Sequence, residues 1–141
     1  MKSTPTVLFV CVANAGKSQM AAALARLYAG DALRIYSAGT EPKEHINQLS
    51  AKSVAELGAD MTGATPQPVD PTLLESVDRT IILGEAAQLR LPAHAQGSLE
   101  RWSVCEPAND GIEGAERMAL IRDDIAARVR ALIRELLSEK P

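Results

Sequence analysis

Apolar and polar positions alternate between two periods along this chain. Val7-Leu8-Phe9-Val10-Cys11-Val12 is an unbroken apolar run. A strand without polar alternation suits a parallel sheet covered on both faces. Ser18 to Tyr28 is rich in Ala and Leu, strong helix formers, and Gly30 follows as a terminator. Leu33 to Ala38 alternates as a second strand, ended by Gly39. Ile46, Leu49, Ser53 and Leu57 have helical spacing, with Gly58 as the residue after the last turn. Thr65 to Asp70 and Pro71 hold three prolines and read as loop. A short helix over 72–76, a strand over 79–83 and another over 100–104 come next. Met118, Ile121, Ile125, Val129, Leu132, Ile133 and Leu136 then recur every three or four residues, with Arg122, Asp123, Arg128, Arg130 and Arg134 on the other faces. This stripe predicts a long amphipathic helix. Interleaved strands and helices in the order β-α-β-α-β-β-α predict an α/β sandwich with a mostly parallel sheet.

Composition narrows the class. At 141 residues the chain is expected to be one domain, residues 1–141. Fifteen basic against eighteen acidic residues leave a net charge of −3, which speaks against nucleic-acid binding through a basic surface. Aromatic residues are 3%, namely Phe9, Tyr28, Tyr36 and Trp102, too few for a base-stacking platform. Two cysteines and two histidines exclude a disulfide framework and make a metal site an unpromising expectation. The apolar run of residues 7–12 is far shorter than the roughly 20 residues that span a membrane. No small-residue cleavage pattern follows it, so the sequence predicts neither a signal peptide nor a membrane partner. The expected location is cytoplasmic, where cysteines stay reduced unless they do chemistry.

The segment Cys11-Val12-Ala13-Asn14-Ala15-Gly16-Lys17-Ser18 joins the first strand to the first helix. Ligands of parallel sheets bind beyond the carboxyl ends of the strands. A helix N-terminus there presents unpaired N–H groups and a partial positive charge, which together suit an anion. Small residues at 13, 15 and 16 let the backbone curl around it, and Gly16 is free to take a positive φ. The expected oxyanion-binding set is Val12, Ala13, Asn14, Ala15, Gly16 and Lys17. Cys11 stands at the mouth of this loop, where the N–H groups and Lys17 favour its thiolate, the nucleophilic form. Ser18 can donate a hydrogen bond to that thiolate, and Asn14 can pin the loop through its amide. The bland reading of Cys11 is a buried strand residue. A rival reading is a nucleotide-binding loop, because Gly16-Lys17-Ser18 matches the second half of G-x4-G-K-[ST]. Cys11 stands where that pattern has its first Gly, and Ile81-Ile82-Leu83 runs into Gly84-Glu85 without an Asp suited to magnesium.

Cys11 through Ala21 resembles the C-x-x-N-x-x-[RK]-S-Q-M-A segment of arsenate reductases that share the low-molecular-weight protein tyrosine phosphatase fold. Further stretches look like the family's later motifs. These are Tyr36-Ser37-Ala38-Gly39-Thr40, Ala55 through Gly63, and Trp102 through Pro107. The resemblance implies a three-layer sandwich with a four-stranded sheet. It departs from the phosphatases in two places. Lys17 stands where they have Arg, a point charge in place of a planar fork. Glu106-Pro107 stands where they have Asp-Pro. Both changes resemble the branch of actinobacterial arsenate–mycothiol transferases, as does Gly111-Ile112-Glu113-Gly114 with Arg117-Met118.

That resemblance implies a detoxifying arsenate reductase acting by thiol transfer. Cys11 would attack arsenic, Lys17 would neutralise oxyanion charge, and Ser18 would steady the thiolate. Glu106 would protonate the departing oxygen. Thioredoxin-coupled relatives carry two more cysteines after the third strand, whereas Ile81 to Pro92 contains none. The reductant is therefore expected from outside, as a small thiol such as mycothiol with mycoredoxin or another glutaredoxin-like protein as partner. No metal or bound organic cofactor is implied. Cys105 reads either as a core residue ending the last strand or as a resolving thiol for Cys11. Arg26, Arg34, His45 and His94 read as surface residues, and Asp70 and Asp78 as turn or cap residues. A phosphotyrosine-type phosphatase using the same Cys11, and an oxyanion or redox sensor without turnover, are the alternatives.

Overall fold

The apolar run near the start of the chain forms an interior strand of the sheet. The computed structural model describes residues 4–138; the readings of Met1-Lys2-Ser3 fall outside them. Strand β1, Thr6–Cys11, leads into helix α1, Lys17–Ala29, and then β2, Arg34–Gly39. Helices α2, Gln48–Ala55, and α3, Pro71–Ser76, precede β3, Arg79–Leu83, and β4, Ser98–Trp102. Helix α4, Gly114–Ser138, closes the described chain. The sheet order is β2-β1-β3-β4, and every pairing is parallel.

The continuous hydrophobicity of β1 follows from cover on both faces. Val7 and Phe9 pack in a cluster with α1, α2 and α4 residues, including Met20, Leu24, Val54, Ile125 and Val129. Leu8 and Val10 point the other way, onto Ala38, Leu74 and Val77. All four β1 side chains from Val7 to Val10 are fully buried. The predicted α/β sandwich is therefore the architecture of the chain. The stripe on α4 behaves as its period predicts: Met118, Ile121, Ile125, Val129, Leu132, Ile133 and Leu136 are all buried. No helix among the described residues is long and apolar enough to cross a membrane.

Boundaries differ from the sequence expectation where side chains set them. Strand β4 ends at Trp102 rather than 104, because its register is fixed by Leu83↔Trp102 and the Val104 N–H turns back to the Trp102 carbonyl at 3.0 Å. Helix α2 starts after Ile46, because the Asn47 side chain accepts the Ser50 N–H at 2.9 Å and caps it. Asp70 caps α3 through the Thr72 N–H at 2.9 Å. Asp78 accepts from the backbone and hydroxyl of Thr6 at 2.8 and 3.0 Å, tying the starts of β1 and β3. Asp70 is the cap residue expected, whereas Asp78 is a long-range tie rather than a turn or cap residue. Arg26, Arg34, His45 and His94 are exposed; Arg26 donates to the Ile35 carbonyl and His94 pairs with Glu75.

The switch in strand order lies at β1, which has β2 on one side and β3 on the other. A cleft forms beyond the carboxyl ends of β1 and β3, as such topology dictates. The register also sets Gly39 opposite Cys11. A Cβ on Gly39 would lie 2.6 Å from the Val12 carbonyl oxygen and 2.9 Å from the Asn14 Cβ. Gly39→Ala must therefore push the loop after β1 out of place. The expected cost is about 1–3 kcal/mol in denaturant unfolding, as for other overpacked sites. A substitution as stable as wild type would show that the loop yields freely.

Candidate active site

The peptide groups after Cys11 are sorted by direction. The carbonyls of Cys11, Val12, Ala13 and Ala15 accept from the N–H groups of Thr40, Glu41, Lys43 and Asn47, at 3.1, 2.8, 3.0 and 2.8 Å. A second run of chain, residues 40–47, thus takes up the acceptors on one side. Among the described residues no acceptor engages the N–H groups of residues 13–16. Helix α1 begins at Lys17 with Gly16 as N-cap and no side-chain cap bond, so its first donors join the same set. The loop is a curved array of donors at the positive end of a helix dipole, which suits a tetrahedral oxyanion.

Asn14 is the buried hub that holds this shape. Its Oδ1 accepts from the Gln67 N–H at 3.0 Å and from Gln19 Nε2 at 3.3 Å. The Gln67 N–H can only donate, which orients the amide and leaves Asn14 Nδ2 to donate to Ser18 Oγ at 2.7 Å. The Ser18 hydroxyl therefore has its own hydrogen free for Cys11 Sγ, 3.0 Å away. Both Asn14 and Ser18 are fully buried. The loop does not use Gly16 for a positive φ, as the sequence suggested. Gly16 has φ −122°, and Asn14 takes the left-handed value of 51°. Asn tolerates that region because its amide bonds locally.

The cleft holds about 390 Å³. Cys11, Val12, Ala13, Gly16 and Lys17 line one side and Leu83 to Ala87 another. Lys43, Arg117, Met118 and Ile121 also line it. The segment after β3 is anchored: Arg101 donates to the carbonyls of Gly84 and Ala87 at 2.6 and 2.9 Å. Lys17 reaches over this segment, its Nζ 3.6 Å from where a Gly84 Cβ would stand. Of the sequence-named residues, Cys11, Val12, Ala13, Gly16 and Lys17 line the cleft, while Asn14, Ala15 and Ser18 support it from behind.

Two expectations change. Glu106 does not line the cleft. Its carboxylate is gripped side-on by Arg117, Nε to Oε2 at 2.7 Å and Nη2 to Oε1 at 2.6 Å. It also caps a 3-10 turn, Pro107–Asp110, through the Ala108 N–H. The Arg117 hydrogen bonds, with smaller help from the Ala108 N–H and Lys17, hold its carboxyl at about 2, well below its ordinary value of 4.5. At neutral pH the carboxylate is ionised, so the expected role as acid would need it to take up a proton before giving one. Cys105 is exposed rather than core. Residues 103–106 leave the sheet, so its thiol lies against the Leu120 carbonyl at 3.6 Å, and its N–H donates to Asp124. Burial and the nearby Asp124 push that thiol up, away from the thiolate. Cys105 does not line the cleft. Arg117 and Lys43, given no role by sequence, do. The faint signal for Arg117 was its place beside Met118 at the start of the α4 stripe.

In this parallel four-stranded domain a cysteine ends an interior strand, backed by a serine and ringed by loop N–H groups, an arrangement suited to an oxyanion. Residues 6–141 match the family described as low molecular weight phosphotyrosine protein phosphatase, and the chain belongs to it. A putative arsenate reductase of Halobacterium salinarum is 36% identical, over 94% of this chain and 94% of its own. The solved thioredoxin-dependent arsenate reductase of Corynebacterium glutamicum superposes with a TM-score of 0.81 at 28% identity. The match covers 99% of this chain and 65% of that one, so this chain spans just under two thirds of its length. A solved arsenate reductase in the phosphate binding state has a TM-score of 0.79 at 26% identity, covering 93% of this chain and 98% of that one.

Two outcomes follow from these contacts. Asn14→Ala leaves the Gln67 N–H unpaired and strips Ser18 of its donor. It should cost about 2–3 kcal/mol in denaturant unfolding; a loss under about 0.5 kcal/mol would remove Asn14 as the hub. The Glu106 carboxyl sits lower folded than unfolded. Its contribution to stability is therefore complete above about pH 4.5 and is lost as pH falls towards about 2. Glu106→Gln should flatten the fall of stability across that window, seen as a shallower loss in thermal melts. An identical acid profile in the two proteins would contradict the ion pair.

Proposed function

We propose that this chain is an arsenate reductase that works by thiol transfer, with Cys11 as nucleophile. The observation that carries the reading is the donor array of residues 13–17 around a cysteine that accepts from Ser18. Arsenate rests on those N–H groups, with Lys17 offsetting its charge. The Cys11 thiolate forms a sulfur–arsenic bond as an arsenic–oxygen bond breaks, and Ser18 steadies the sulfur before and after. The departing oxygen leaves as water, using the two protons of dihydrogen arsenate, a form well populated near neutral pH. Relatives named as arsenate reductases support this substrate.

The reductant comes from outside the chain. A small thiol, mycothiol in this reading, attacks arsenic and displaces Cys11 as thiolate, carrying arsenic(V) away as a thiol adduct. A glutaredoxin-like partner such as mycoredoxin then attacks the adduct's sulfur. A mixed disulfide forms and arsenic leaves as arsenite, two electrons richer. The cysteines favour this route. Cys11 is buried, Cys105 is away from the cleft, and both are free. A thioredoxin-dependent protein has the same fold, so the fold does not choose the reductant; the placement of the cysteines is what supports an external thiol. The anchored segment 84–87, which holds no cysteine, offers no relay in their place.

The test is NADPH consumption with arsenate in three coupled systems: mycothiol with mycoredoxin, glutathione with glutaredoxin, and thioredoxin. Turnover is expected with a small thiol. Cys11→Ser should abolish it and Cys105→Ser should leave it within about twofold. Turnover with thioredoxin alone, or loss of activity in Cys105→Ser, would overturn the external-thiol route. Fast hydrolysis of p-nitrophenyl phosphate without arsenate turnover would make the chain a phosphatase instead.

A further inference from the structure

Lys17 leaves an oxyanion site one group short. A tetrahedral anion against Cys11 turns several oxygens towards the protein. An ammonium meets them as a point charge, whereas a guanidinium meets two at once with a planar pair of N–H groups. The cleft contains such a group, but not from the loop. Arg117, in the first turn of α4, lines the cleft together with Cys11 and Lys17.

The guanidinium is held in place from one side only. Glu106 takes Nε and one N–H of Nη2. Of five N–H donors, three therefore remain, on Nη1 and the far side of Nη2. Glu106 is in turn fixed by the Ala108 N–H at the head of the 3-10 turn. It stands behind the arginine, outside the cleft, while the arginine stands within it. We propose that Arg117 is the oxyanion-binding fork of this site and that Glu106 is the positioning residue that aims it. The inference rests on the reading of the cleft as an oxyanion site and adds a second cation to it. It also gives Glu106 a function that its resting charge allows.

A plainer role for the pair is to tie residues 104–111 to α4. Both side chains are about one-third exposed or a little less, so such a tie would matter little to the anion. The two readings separate on affinity. Inorganic phosphate, a tetrahedral probe that needs no thiol partner, would be titrated calorimetrically into wild type, Arg117→Lys, Arg117→Ala and Glu106→Gln. Arg117→Ala should weaken phosphate about 10- to 100-fold, and Arg117→Lys, which keeps charge without the fork, about 5- to 10-fold. Glu106→Gln should weaken it a few-fold and, in arsenate turnover, raise KM more than it lowers kcat.

Arg117→Ala binding phosphate as tightly as wild type, with only its melting temperature lowered, would leave the tie and overturn the fork. A Glu106→Gln protein with kcat reduced and KM unchanged would return Glu106 to proton transfer and overturn its positioning role. Wild type binding neither phosphate nor arsenate would overturn the oxyanion site itself, and the fork with it.

Discussion

The cleft depends on which way the peptide groups of residues 11–15 face. A peptide turns its N–H and C=O in opposite directions, so whatever captures the carbonyls decides where the donors point. The run from Thr40 to Asn47 captures four of them. It can do so only because β2 lies parallel beside β1, ends opposite Cys11, and carries no side chain at Gly39 to keep the chains apart. Without that second segment the loop would have to satisfy its carbonyls locally or in water, and a concave donor surface would not form.

Charge is layered around this donor surface. Lys17 stands at the helix start, where cation and dipole both favour an anion. Such an arrangement repels itself when empty and needs restraint. Helix α1 supplies none: it has no acidic residue in its first turn. The restraint comes from Glu106, which takes up the side of Arg117 and feels Lys17 as well. The cleft is thus lined by cations, with a carboxylate one step behind. A neutral acid at position 106 has no place in that arrangement at rest, because two nearby cations stabilise its charged form.

The cysteines divide by surroundings rather than by spacing. Cys11 ends an interior strand and meets a hydroxyl whose hydrogen is free for it. Cys105 lies past the end of β4, beside a carboxylate and a carbonyl, where a thiolate is unfavourable. The sequence suggested a core position for Cys105 because it stands at the expected end of the last strand and free cysteine is among the most buried residue types. The strand ends three residues earlier, at Trp102, whose ring packs 5.9 Å from Phe9. The loop's left-handed residue was likewise misplaced on Gly16. Glycine is the usual occupant, but the bonds that Asn14 makes to Gln67 and Ser18 secure it there.

The sequence alone determined the sheet class, the cysteine-bearing loop and the α4 stripe, because each rests on local periodicity or on neighbours within eight residues. Apolar β1, the small residues after Cys11, and the Lys17-Ser18 helix start all carry their meaning within one short segment. Only the tertiary structure decided the direction of the loop carbonyls, the exposure of Cys105, the state of Glu106 and the presence of Arg117 in the cleft. Each of these depends on a partner from a separate element: residues 40–47, Asp124, or the first turn of α4. Such partners are chosen by strand order and helix packing, and a one-dimensional pattern does not encode which distant donor meets which acceptor.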